Sequence, residues 1–144
     1  MSKSEGTITI NAPIEKVFDA ISDPEKVTQY ASSSVLTGAE GKPDELGSYA
    51  EFDYHVVGMK FHARMTVSEV DKPHRLVQEM SGAMPGKWTW GLTQDDQAVK
   101  VDFSIDYIFP GGILGKIADR LFMGRMNKNN IGRTLQNLKV FCET

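Results

Sequence analysis

The chain has 144 residues, 40% hydrophobic and 24% charged, with a net charge of −3, which reads as one globular domain able to bury a core unaided. No apolar run reaches the length of a membrane span, so a spanning helix is excluded. A single cysteine, Cys142, excludes an internal disulfide and any paired-cysteine metal or redox motif.

The leading MSKSEGTITINAP lacks the apolar core of a secretory signal. With the lone cysteine, this gives the expectation of a reducing cytoplasm. Glu5–Ile10 alternates, with Ile8 and Ile10 on one face, and reads as a first strand. Asn11 stands where an N-cap belongs, and Pro13 falls in the first turn of a short helix. Ile14, Val17, Phe18 and Ile21 form its apolar side at i, i+3, i+4 and i+7. A second short helix follows, with Asp23 as cap, Pro24 at its first position, and Val27 and Tyr30 facing inward. Val35 and Leu36 suggest a further strand before the turn-rich Gly41–Gly47.

Ser48–Phe109 reads as an antiparallel meander whose registers follow from side-chain sorting. A turn at Val57-Gly58 sets Tyr54 against Phe61, Phe52 against Ala63 and Ala50 against Met65. The same register places Glu51 opposite Arg64 and Asp53 opposite His62 on the other face. Val57 suits a tight primed turn poorly, which leaves a four-residue loop open. A turn at Asp95-Asp96 sets Trp88 against Phe103, Trp90 against Val101 and Leu92 against Val99. Between the hairpins, Met65 falls opposite Met80, with Gln78 on the inner side. Pro110-Gly111-Gly112 ends the last strand.

Ile113–Glu143 reads as one long closing helix. Leu114, Ile117, Leu121, Ile131, Leu135, Leu138 and Cys142 recur at helical spacing along its seam. The two intervening seam positions are Gly124 and Lys128, neither of which fills a core, and the missing volume suggests a cavity. Deleting one core leucine side chain to alanine already costs roughly 2–5 kcal/mol. A missing seam residue therefore needs a neighbour to fill its place or a use for the gap. A meander with one apolar face needs a cover, and this helix is the element long enough to provide it. Residues 1–144 thus read as a single α+β domain.

Several segments carry a family resemblance. APIEKVFDAISDPEKV after the first strand, V-S-E-V-D-K-P-H-R-L in the middle, and P-G-G-I-L-G-K-I-A-D-R-L with L-Q-N-L-K near the end resemble the START-like (SRPBCC, Bet v 1-like) superfamily. The match is nearest to its small polyketide cyclase/dehydrase-type branch and covers essentially the whole chain. The resemblance implies a helix-grip fold, in which a curved antiparallel sheet of about seven strands wraps a long C-terminal helix around an apolar cavity. It implies binding of lipids, sterols, hormones, polyketides or other hydrophobic molecules. Cyclisation or dehydration occurs in a minority of members.

The interior set by these registers is aromatic and rich in methionine: Phe52, Tyr54, Phe61, Met65, Met80, Trp88, Trp90, Phe103, Ile105 and Tyr107, with Leu121 from the helix. Such a lining suits a flat or flexible apolar ligand. For any one of these residues a dry, solid core is the plainer account. The gap at Gly124 and Lys128 favours a cavity for the set. Polar groups expected inside are Tyr54, Tyr107, Gln78 and the indole N–H groups of Trp88 and Trp90. These either orient a ligand or, for Tyr54 and Tyr107, act as general acid in a cyclisation. Lys128 has the length to snorkel to a rim and meet a carboxylate, or it marks an outward turn of the helix.

No metallohydrolase, nucleophile-elbow, P-loop or dinucleotide motif is present, and neither a metal nor a cofactor is expected. His55 and His62 fall on the outer face, and His74 sits in a turn. His62 beside Asp53 resembles a general-base pair, but the register makes it an exposed cross-strand pair. Residues 113–144 carry +4 against −7 for residues 1–112. That asymmetry fits a helix docked on an anionic surface or, more simply, a solvated face beside an acidic sheet. Interleaved aromatics of a single-strand binder are missing from it, so no nucleic acid is expected, nor stable membrane insertion. The reading is a monomeric carrier or sensor for a small hydrophobic molecule. Its alternatives are a polyketide cyclase or dehydratase, and a co-chaperone-like module using Glu51, Asp53, His62 and Arg64.

Overall fold

Strand β1 (Ser2–Ile10) is followed by helices α1 (Ile14–Ser22) and α2 (Pro24–Tyr30). Then come β2 (Ser34–Glu40), β3 (Tyr49–Val56), β4 (Met59–Asp71), β5 (Arg75–Gly82), β6 (Gly86–Asp95) and β7 (Ala98–Tyr107), and helix α3 (Gly124–Glu143) closes the chain. This computed structural model describes residues 2–31, 34–56, 59–82, 85–107 and 124–144. Ser2, Val56, Met59, Tyr107 and 124–130 are described by their backbone path alone. The strands form one antiparallel sheet in the order β1-β7-β6-β5-β4-β3-β2. This is the helix-grip arrangement that the resemblance implies.

Alternation builds the sheet. In β1, Ser4 and Ile10 are buried while Lys3, Glu5, Thr7 and Thr9 are exposed. The β3–β4 ladder has the expected register, with Tyr54 opposite Phe61, Phe52 opposite Ala63, and Glu51 opposite Arg64. Met65 lies opposite Met80, also as expected. Bulges at Thr37 in β2 and Ser68 in β4 shift those two ladders by one residue, which keeps the apolar set on one face past each irregularity.

The β6–β7 register differs from the expectation by two residues. Trp88 faces Ile105, Trp90 faces Phe103 and Leu92 faces Val101. The turn is Asp96-Gln97, and Asp96 sits at φ 57°, a left-handed conformation that Asp tolerates better than most residues. The Gln94 amide braces the turn by donating to the Asp96 and Ala98 carbonyls at 2.7 and 3.1 Å. A two-residue slip preserves parity, so every inward residue stays inward.

Helix α1 buries Ile14, Val17, Phe18 and Ile21. Its N-cap is Pro13 and carries no side-chain hydrogen bond, which corrects the assignment of Asn11. The Asn11 backbone N–H donates to the Glu143 carboxylate at 2.8 Å, so that residue ties the end of β1 to the end of α3. Asp23 caps α2 as expected, accepting from the Glu25 N–H at 3.0 Å.

The described side chains of α3 bury Ile131, Leu135, Leu138 and Cys142. Leu114, Ile117 and the turn 110–112 lie outside the described residues, and at Gly124 and Lys128 the description covers helical backbone alone. The helix packs chiefly on β1 and also meets α1 and α2. Asn137 donates to the Tyr30 carbonyl at 3.1 Å and Lys139 to the Thr9 carbonyl at 2.9 Å. One apolar cluster fills the space between these helices and β1, β6 and β7. A second, made of Ala50, Phe52, Ala63, Met65 and Met80, lies on β3–β5.

Gly6 marks where α3 seats on the sheet. A Cβ there would lie 2.8 Å from Ile131 Cγ2 and 2.9 Å from Leu135 Cδ1. The Ile131 methyl is fixed close to the helix backbone, so the helix itself has to move. Gly6→Ala is therefore expected to destabilise the fold by about 1–3 kcal/mol, read as a lower urea midpoint. Unchanged stability would show that α3 is not seated there.

Candidate functional site

Sheet parity brings Phe52 and Tyr54 of β3, Phe61 and Met65 of β4, Gln78 and Met80 of β5, Trp88 and Trp90 of β6, and Phe103 and Ile105 of β7 to one face. Phe52, Met65, Met80, Trp90 and Phe103 are buried, and the others are half-buried. The rings form a continuous row. Phe52 lies 5.9 Å from Tyr54, Tyr54 6.2 Å from Trp88, and Trp88 meets Phe103 edge-on at 5.4 Å. Phe103 in turn stacks on Trp90 at 3.8 Å. Such contacts favour tilted or offset rings and fix the wall in place.

Two connected spaces border this wall. The outer one is a crevice of about 180 Å³ beneath the α1–α2 corner, lined by Ser22, Pro24, Leu36, Ala50, Met65 and Gln78 among others. The inner one is about 20 Å³ and reaches Tyr30, Phe52, Tyr54, Trp88 and Trp90. Ser22, Pro24, Ala50, Met65 and Gln78 border both. An apolar cavity of roughly 150 Å³ is enough for benzene, while a water needs roughly 10–15 Å³. The crevice, open on its outer side, thus encloses one ring with space for a fused second at its mouth, and the inner space holds one small polar group. Along the described part of the row the rings touch one another, which is tighter than the open interior expected from sequence.

Polar groups on this wall differ in how they are used. The Tyr30 hydroxyl donates to the Ala20 carbonyl at 3.0 Å and so pins α2 to α1. Burial pushes the Tyr54 phenol well above its ordinary value, which makes it a weaker proton donor than an exposed tyrosine. The indole nitrogens of Trp88 and Trp90 are buried and have no hydrogen-bond partner among the described residues. A buried donor left unsatisfied costs about 1–3 kcal/mol.

Of the expected site residues, Tyr107 lies on β7 opposite Gly86, with its side chain outside the described residues. Leu121 lies outside them altogether, as do the side-chain surroundings of Gly124 and Lys128. Ala50, Ser22, Pro24, Tyr30 and Thr134 border the two spaces and were not expected there. Ala50 carried a signal, since its register position is inward and its side chain leaves volume.

The outer face holds a separate charged cluster. His62 Nδ1 lies 2.9 Å from Asp53 and Nε2 lies 3.3 Å from Glu51. Lys60 approaches Asp53 at 3.4 Å, and Arg64 approaches Glu51 at 3.4 Å. His62 is exposed, as are His55 and His74. Its ring bridges two carboxylates rather than facing a pocket, so the general-base geometry is absent there. Among the described residues no group of three His, Cys, Asp or Glu is arranged to hold a metal. None of the described helices is long and apolar enough to cross a membrane.

The chain matches the family described as polyketide cyclase/dehydrase and lipid transport over residues 1–143. No curated protein matches it in sequence. Among solved structures, a protein from Thermus thermophilus superposes with TM-score 0.79 at 17% identity, covering 96% of this chain and 95% of that one. A START superfamily protein from Mycobacterium smegmatis gives 0.77 at 9% identity, with 98% and 97% covered. The Aha1 dimer from Colwellia psychrerythraea gives 0.69 at 16% identity, with 99% and 97% covered. At such identities these likenesses establish the START-like fold.

The outer cluster gives a titration test. Hydrogen bonds that the His62 ring donates to Asp53 and then Glu51 raise its pKa, and the same contacts lower those of both carboxylates. The stability His62 contributes is present below its unfolded value and lost as pH rises through its raised folded value. The carboxylate contribution is present above the unfolded carboxylate values and lost as pH falls through the lowered folded ones. NMR titration is expected to find His62 above 6.5, and Asp53→Asn is expected to lower it. A value unmoved by Asp53→Asn would mean the pair does not form in solution.

Proposed function

The chain belongs to the polyketide cyclase/dehydrase and lipid transport family, and from that membership we propose that it binds a small hydrophobic molecule noncovalently, as a carrier or sensor. The observation that carries this reading is the aromatic and methionine wall bordered by a crevice that opens beneath the α1–α2 corner. Ring faces supply contact area at low conformational cost, and Met65 and Met80 adapt to irregular outlines. The ligand enters past Pro24 and Leu36, with its ring against Ala50 and Met65 and its inner end toward the indoles. Tyr54, made a weaker acid by burial, orients the guest rather than donating a proton in a reaction.

The experiment is solvent extraction of the purified protein, followed by mass spectrometry, beside Ala50→Leu. A co-purifying apolar molecule is expected from the wild type. Leu at position 50 fills the throat between the two spaces, so recovery is expected to fall about tenfold or more while the far-ultraviolet spectrum is unchanged. Equal recovery from a folded variant would move the site elsewhere. Tyr54→Phe is expected to leave recovery within about threefold, as for loss of one neutral hydrogen bond. Turnover of any extracted compound by the wild type that vanishes in Tyr54→Phe would make the chain an enzyme instead.

A further inference from the structure

The inner space is small and apolar, yet two residues that border it carry buried hydrogen-bond donors with no acceptor among the described residues. Trp88 and Trp90 sit two residues apart on β6, so both indoles project to the same face, and both border the space of about 20 Å³. Trp90 is 1% exposed, and neither indole nitrogen has a partner among the described residues. An indole N–H donates and cannot accept. Gln78, which borders both spaces, offers either role, and so does the Tyr54 hydroxyl. The indoles are therefore the groups that select.

We propose that the Trp88 and Trp90 indoles form the polar end of the binding site and take a neutral acceptor oxygen, a ketone, ester or quinone carbonyl, on an otherwise apolar ring system. This rests on the ligand-binding reading above. The described residues lining the inner space include no carboxylate, lysine, arginine or histidine. An anionic head there would be a buried charge with no counter-ion among the described residues, which is strongly unfavourable. A protonated amine brings only donors and leaves the indoles unmet, and a hydroxyl accepts but adds a donor of its own that needs a partner, whereas a carbonyl oxygen only accepts. Volume agrees with chemistry: the inner space holds one oxygen-sized group, and the crevice beside it holds the ring.

The test uses two compounds of nearly equal shape, 1-tetralone and tetralin, which differ by one carbonyl. Calorimetry measures both affinities. The chain has two tryptophans, so nitrogen-15 labelling at indole gives two N–H signals, assigned with Trp88→Phe and Trp90→Phe. The wild type is expected to prefer 1-tetralone about three- to tenfold, the worth of one or two neutral hydrogen bonds. 1-Tetralone is expected to move at least one indole proton downfield, and tetralin neither. In Trp88→Phe or Trp90→Phe the ratio of the two affinities falls toward one, whatever the change in tetralin affinity that the smaller ring brings. If those variants do not fold, the wild-type shifts alone decide. Equal affinities with indole protons unmoved by 1-tetralone overturn the acceptor assignment and leave hydrophobic binding standing. Binding of neither compound overturns the ligand-binding reading and this inference with it.

Discussion

Parity along the antiparallel ladders governs this molecule. Successive side chains in a strand point to opposite faces, so one register decides at once which residues meet the helices and which meet water. Trp90, Phe103, Met65 and Phe52 point one way; Glu51, Asp53, His62 and Arg64 point the other. Covering the apolar face is the task of the helices. Helix α3 does so over β1, where Gly6 admits it closely. Toward β3–β5 the cover reaches down from α2, and Val27 touches both apolar clusters, as does Trp88 from the sheet. The crevice lies near this junction, where two cores approach each other with space left between them.

That arrangement separates two kinds of chemistry. Ion pairs on the outer face, such as His62 with Asp53, stand in water, where exposed pairs contribute little to stability. On the inner face a single polar group matters far more, because water is excluded and an unmet donor has no substitute. Tyr30 is satisfied by the Ala20 carbonyl. The indoles of Trp88 and Trp90 are not, which distinguishes a wall that has finished folding from one that still has an interaction to make.

Much of the sheet was legible because charge and apolarity agreed. At the β3–β4 hairpin one register both buries Phe52 and pairs Glu51 with Arg64, and it is the register observed. At β6–β7, parity alone could not separate registers two residues apart. The choice there rests on the left-handed Asp96 and on the stack of Trp90 over Phe103, the second a contact between strands that sequence spacing does not specify. Asn11 has the chemistry of a cap, but its backbone is engaged by Glu143 from the far end of the chain. The bulges at Thr37 and Ser68 carry no local signal. For the site, the lining was legible by alternation. The crevice was not, since its walls depend on where the Ser22–Pro24 corner comes to rest over Ala50.

The central claim is that the concave wall admits a guest from solvent. It is tested most directly by methyl NMR of the protein labelled at methionine and titrated with naphthalene. Ring currents from a guest in the crevice would shift the methyl signal of Met65, which borders both spaces, in step with saturation, while the imidazole signals of His62 on the outer face stay fixed. If the Met65 methyl signal holds its position while naphthalene binds elsewhere, or does not bind, the wall is a sealed core and the account is wrong.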